Sequence, residues 1–285
     1  MIATKPSPAA ATGPAGHSVL SGLLSRPSPA VMGVLNVTPD SFSDGGRFAA
    51  PERALTQARR MIAEGADIID IGAESTRPYG SEPISADEEL ERLQAVLPEV
   101  VALGIPVSID SMKSGVVAWA LDHGAAVAND VWGLQRDPGM AGLIAERRVP
   151  VIVMHNRERA DPAIDIMQDI ADFFARSLEI ASGAGIAFDR IVLDPGIGFG
   201  KTPRQSMTAL ARLAELECFG LPLLVGASRK RFISTVTPSE PHQRLGGSIA
   251  AHLVAAQRGA RIIRAHDVAE TVQALRVAAA IREQE

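Results

Sequence analysis

Cysteine is nearly absent: the single Cys218 excludes an internal disulfide, and the scattered histidines give no zinc-site spacing. A reducing, cytoplasmic setting is the simplest expectation, with Cys218, in the helix-to-strand stretch LAELECFGLP, expected to pack rather than react. Aromatic residues make up 4% of the chain and do not interleave with its basic clusters, and the net charge is −5. Both facts argue against a nucleic-acid or anionic-membrane partner. No apolar run is long enough to span a bilayer. Residues 1–29 lack the apolar core of a signal peptide and are rich in Pro, Ala, Ser and Gly, so they are expected to form a disordered tail.

What is present is alternation. From Ala30 onward an apolar run, a turn and a helical stretch follow one another, as in a parallel sheet with helical crossovers. Strands are expected at Val31–Asn36, Ile68–Gly72, Pro106–Asp110, Ala126–Asn129, Val151–Met154, Ile191–Asp194, Leu223–Gly226 and Arg261–Arg264. Helices fall between them, one of them over Ala86–Leu103, and the last, Asp267–Arg282, has Asp267 placed to cap it. Eight such units in residues 30–285 match the roughly 250 residues of a closed (β/α)8 TIM barrel in one domain.

The residues at or just past the ends of these strands are polar, and a barrel gathers them on one face. Ile191–Asp194 runs directly into Pro195 and Gly196, so Asp194 stands at the rim. The following GIGFGKT resembles a phosphate loop, but Pro195 occupies the position of its first glycine. Asp194 suits a flat, amidine-like ligand edge, and equally suits a helix cap. Asn36, Asp110 and Asn129 end earlier strands, while Ser228, Lys230, Arg264 and His266 follow later ones. This distribution implies a hydrogen-bonding half and an anion-binding half. Asn36 offers a hard oxygen of the kind magnesium shares with phosphate, or simply opens a turn. Arg77, in GAESTRPYG, suits an anion or is a solvated loop residue. His266 is an anion ligand or a neighbour of a helix cap. Asp70 is a satisfied interior carboxylate without a role, His155 a strand-end polar residue, and Trp119 and Trp132 packing groups.

Seven strings in order, MGVLNVTPDSFSDGG, GAESTRP, SIDS, NDVWG, LDPGIGFGK, ASRK and IIRAHDV, resemble the dihydropteroate synthases of folate biosynthesis. The resemblance covers residues 31 to about 270. It implies a TIM barrel that condenses 6-hydroxymethyl-7,8-dihydropterin diphosphate with p-aminobenzoate through a dissociative, pterin-cation mechanism. By position it makes Asp110, Asn129, Asp194 and Lys230 the pterin contacts, with Met154 and Phe199 as apolar neighbours. Asn36 would ligate Mg2+, and Arg77, Arg264 and His266 would neutralise the diphosphate. Thr76 and Ser228 would lie near p-aminobenzoate, with Pro78 and Phe42 closing over it and Asp44 aiding loop closure. Asp110, Lys230, Arg264, His266 and Asp44 make up the implied catalytic group. A homodimer through C-terminal helices is also implied. Tyr79–Gly80 and the HNRER segment after Met154 depart from the family pattern, and neither is expected to touch the assigned residues. A pterin-binding corrinoid methyltransferase and a catalytically silent pterin-binding paralogue are the alternatives. The diphosphate-directed residues weigh against the first and the intact loops against the second.

Overall fold

The structure, a computed structural model, describes residues 16–38, 49–74 and 83–284. Its strands are β1 (Ala30–Asn36), β2 (Ile68–Gly72), β3 (Val107–Asp110), β4 (Val127–Asp130), β5 (Val151–Met154), β6 (Ile191–Asp194), β7 (Leu223–Val225) and β8 (Ala260–Ala265). All are parallel, and β8 pairs with β1 to close the barrel. The helices are α1 (Gly16–Leu24), α2 (Ala49–Ala63), α3 (Ala86–Gln94), α4 (Leu97–Val101), α5 (Ser114–Asp122) and α6 (Met140–Arg147). They continue as α7 (Ile166–Ala184), α8 (Pro203–Ala211), α9 (Arg231–Val236), α10 (Leu245–Gln257) and α11 (Val268–Arg282). Strands β5 and β7 are buried at every residue because the helices cover their outer faces, which is why they read as unbroken apolar runs.

Register does the positioning. Asn36, Gly72, Asp110 and Asn129 are successive partners across β1 to β4, and Met154 pairs with Asp194 across β5 and β6. Four of these residues, Asn36, Asp110, Asn129 and Asp194, are polar and stand near their strand ends at the barrel mouth. One layer deeper, Val34, Asp70 and Ser108 are partners in the same way.

Four expectations are corrected. Within the supposed tail, residues 16–24 form α1, whose Leu20 and Leu23 are 3% and 6% exposed. They pack on Ala30, Met32, Ile68, Val127, Ile152, Val192, Leu224 and Ile262 and seal the lower end of the barrel. Arg261 Nη2 holds the helix end by donating to the carbonyls of Leu24 (2.6 Å) and Arg26 (2.7 Å). Burying the two leucines contributes roughly 3–6 kcal/mol. The single helix expected over Ala86–Leu103 divides into α3 and α4, because Pro98 near the start of α4 cannot donate to the preceding turn. Asp267 does not cap α11; its carboxylate accepts from Arg229 Nε (3.0 Å) and Nη2 (2.5 Å). Cys218 is exposed rather than packed, since α8 is followed by a 3-10 turn, Leu213–Phe219, that turns Leu213 and Leu216 inward.

His252 on α10 is buried against α11. Thr271 Oγ1 gives its proton to the Asp267 carbonyl (2.7 Å), so His252 Nδ1–H donates to Thr271 (3.2 Å) and Nε2 is left without a partner. Burial pushes the ring down from 6.5 to about 4. An unfolded chain takes up this proton first, so the stability contribution is complete above 6.5 and is lost as pH falls toward 4. His252→Leu is expected to cost little at neutral pH and to lessen the acid loss by up to about 1.4 kcal/mol per pH unit across that window. Urea unfolding of both proteins at neutral and acid pH checks this, and identical acid slopes would contradict it.

Candidate active site

The turn after β6 is tightly built. Asp194 Oδ1 accepts from the Gly196 amide (2.7 Å), which is a local turn bond and not a cap on α8. Gly196, at φ +64°, lies so close to strand β5 that a Cβ there would collide with the His155 carbonyl oxygen. Gly200, at φ +52°, is pressed against Arg157 in the same way. No other residue type fits at either position.

Asp110, Asn129, Met154, Asp194, Phe199 and Lys230 surround one cleft, together with Arg264. The structure thus brings together all six residues that the family resemblance places around the pterin. Lys230 Nζ lies 4.0 Å from the centroid of the Phe199 ring, which places a cation on one wall. Asp110 and Asp194 form the acidic side. Burial, reinforced for Asp110 by nearby Asp70 and opposed by Arg264, raises its carboxyl to about 7. Burial likewise raises Asp194 to about 6 against the Gly196 hydrogen bond. Asp110 Oδ1 is buried without a hydrogen-bond partner. A ligand that donates an N–H there would relieve that cost.

Beneath the cleft Asp70, fully buried, accepts from Ser108 Oγ, from Asn129 Nδ2 (3.1 Å to Oδ2) and from Arg264 Nε (2.6 Å). Since the Asn129 NH2 is committed downward, its carbonyl oxygen is the group it has to offer a ligand. Arg264 Nη2 also donates to Asp110 Oδ2 (2.9 Å). This corrects the expected division into two halves: Arg264 lies among the carboxylates, because two buried anions require a counter-charge there. Ser228 and His266 lie outside that cleft's lining and pair with each other, His266 Nδ1 to Ser228 Oγ at 3.0 Å. Burial and the charges of Arg264, Arg229 and Lys230 hold His266 down at about 3, so it is a neutral hydrogen-bonding group rather than a cation.

Asn36 ends β1 in the row of Asp110 and Asn129 and is half-buried. Among the described residues no cluster of three or more His, Cys, Asp or Glu could hold a metal ion. What this row offers to a hard cation is the single amide oxygen of Asn36. Phe42, Asp44, Thr76, Arg77 and Pro78 lie outside the described residues.

Sequence reasoning missed the supports. Asp70 had no role, yet it orients Asn129 and Arg264. The HNRER segment touches an assigned residue after all: the His155 amide donates to the Asp194 carbonyl (2.8 Å). The only sequence signal was the close run of glycines from 196 to 200, which demands a neighbouring backbone.

Comparison with known proteins agrees with this geometry. The family model described as pterin binding enzyme matches residues 32–266. Dihydropteroate synthase from Bacillus subtilis is 43% identical over 253 residues, covering 88% of this chain and 88% of that protein. Among solved structures, a Clostridium difficile dihydropteroate synthase in the presence of pteroic acid has a TM-score of 0.86 at 45% identity, covering 89% of this chain and 97% of that one. The Xanthomonas albilineans enzyme in complex with 7,8-dihydropteroate has a TM-score of 0.82 at 43% identity, with 90% and 94% covered. Matched from β1 to β8 in sequence and in fold, the chain belongs to the pterin-binding enzyme family, among its dihydropteroate synthases.

Proposed function

We propose that the chain joins 6-hydroxymethyl-7,8-dihydropterin diphosphate to p-aminobenzoate, forming 7,8-dihydropteroate and releasing pyrophosphate. The observation that carries this reading is the unpartnered, buried Asp110 Oδ1 in one cleft with Asp194, the Asn129 carbonyl and Lys230. A 2-amino-4-oxo pyrimidine ring offers adjacent N–H donors to carboxylates and acceptor atoms to an ammonium group. The C–O bond to the diphosphate breaks first, and its electron pair leaves with pyrophosphate. The aniline nitrogen then forms the C–N bond to the methylene and loses a proton. Asp110 stabilises the cation on the ring, and a neutral His266 hydrogen-bonds the departing anion. Asn36 would hold Mg2+, whose charge helps neutralise the diphosphate. Arg77 and Thr76 would serve the anion and p-aminobenzoate from the second loop.

We assign the working form to a cytoplasmic homodimer. Val277 and Ile281 of α11 are 55% and 62% exposed, and Val254 of the adjoining α10 is 38% exposed, which leaves apolar side chains for a second copy. Among the described residues no helix is long and apolar enough to cross a membrane. Pyrophosphate release is expected only with p-aminobenzoate and Mg2+ both present, and chelation should abolish it. No release in the complete mixture would overturn the reading in favour of a silent binder, and methyl transfer to a corrinoid would favour the alternative enzyme.

A further inference from the structure

Lys201 is 5% exposed and is not among the residues that line the cleft. It has three partners: His155 Nδ1 (2.6 Å), the Gly196 carbonyl (2.9 Å) and the Phe199 carbonyl (3.2 Å). All three must accept, because a lysine ammonium has three donors and no acceptor. The imidazole is thereby fixed with its proton on Nε2, which donates to Asp169 Oδ2 (2.9 Å). Asp169 Oδ1 in turn accepts from Arg157 Nη1 (2.5 Å), the residue against which Gly200 is pressed.

The rest of the turn is held at its two ends and by one internal bond, from the Phe199 amide to the Gly196 carbonyl (3.0 Å). Asp194 holds the Gly196 amide at one end. At the other, Thr202 and Gln205 form a reciprocal capping box at the start of α8. Between them Lys201 is the side chain that bridges the carbonyls of Gly196 and Phe199, and Phe199 carries the ring beneath Lys230. Burying an ammonium costs stability, and here burial pushes it down to about 7. The cost is met by bonds that shape the pocket.

We propose that Lys201, backed by His155 and Asp169, is a positioning residue for the pterin ring: it locks the turn that sets Asp194 and Phe199 at the cleft. The proposal rests on the pterin reading of that cleft given above. A tie that served stability alone would not discriminate between the two substrates, whereas this one acts on the ring pocket.

The test is steady-state kinetics of pyrophosphate release with each substrate varied in turn, alongside thermal unfolding. Lys201→Met is expected to raise KM for the dihydropterin diphosphate about 10- to 100-fold, the loss for hydrogen bonds from a charged donor. KM for p-aminobenzoate should stay within about threefold. Asp169→Asn, at the partly exposed end of the chain of bonds, should move KM for the pterin the same way by about threefold, and it provides the test if Lys201→Met does not fold. Lowered thermal stability with both KM values unchanged in both variants would overturn the assignment, as would equal rises for both substrates. If the unaltered protein itself shows no saturation by the pterin substrate, the reading of the cleft fails instead.

Discussion

Asp110→Asn is expected to keep the fold and to lower kcat by about 100- to 1000-fold, the range for removing one electrostatic stabiliser of a transition state. The amide has the carboxylate's shape and can still accept from Arg264 Nη2, so the barrel interior keeps its hydrogen bond. What disappears is negative charge on the oxygen that has no partner in the protein. A ring cation forming beside it would then face a dipole in place of an anion. Because the carboxyl is raised to about 7, activity of the unaltered protein should fall as pH drops through that value and the group takes a proton. The variant should lack this acid limb. Circular dichroism with pyrophosphate release at several pH values checks both statements, and near-normal turnover would contradict the role.

Arg264→Leu is expected to destabilise the protein by about 3–5 kcal/mol, the cost of stranding buried charges. Its guanidinium satisfies Asp70 and Asp110 together, and the three side chains are 17%, 0% and 8% exposed. Without it two carboxylates face each other under the cleft, and folding must retain a proton between them. A carboxyl that binds its proton more tightly when folded loses stability as pH rises above the unfolded value of 3.8. The variant's deficit should therefore grow between about pH 5 and about pH 8. Adding Asp70→Asn should recover part of it. Urea midpoints of the single and double variants at both pH values decide the matter, and a pH-independent deficit would count against the shared counter-charge.

Much of this is legible in the sequence because a barrel converts strand order into position. Given eight apolar runs, Asp110, Asn129, Asp194 and Lys230 have to ring one mouth, and in the structure all four line the same cleft. Expectations failed mainly where a side chain chose another partner, as when Asp267 turned to Arg229 instead of capping α11. Supports were harder to read. Asp70 and Arg264 are 194 residues apart, and only closure of β8 onto β1 makes them neighbours. Lys201 reads as the end of a failed phosphate loop, since nothing local shows that its ammonium turns inward. The helix at 16–24 was hidden by the Pro- and Ser-rich composition around it, although Leu20 and Leu23 have helical spacing.

That helix also decides where the molecule tolerates additions. It closes the floor, at the opposite end from the cleft, so a fluorescent domain or affinity handle spliced ahead of Gly16 would hang below and leave substrate traffic undisturbed. Splicing between Leu24 and Ala30 would pry out the stopper.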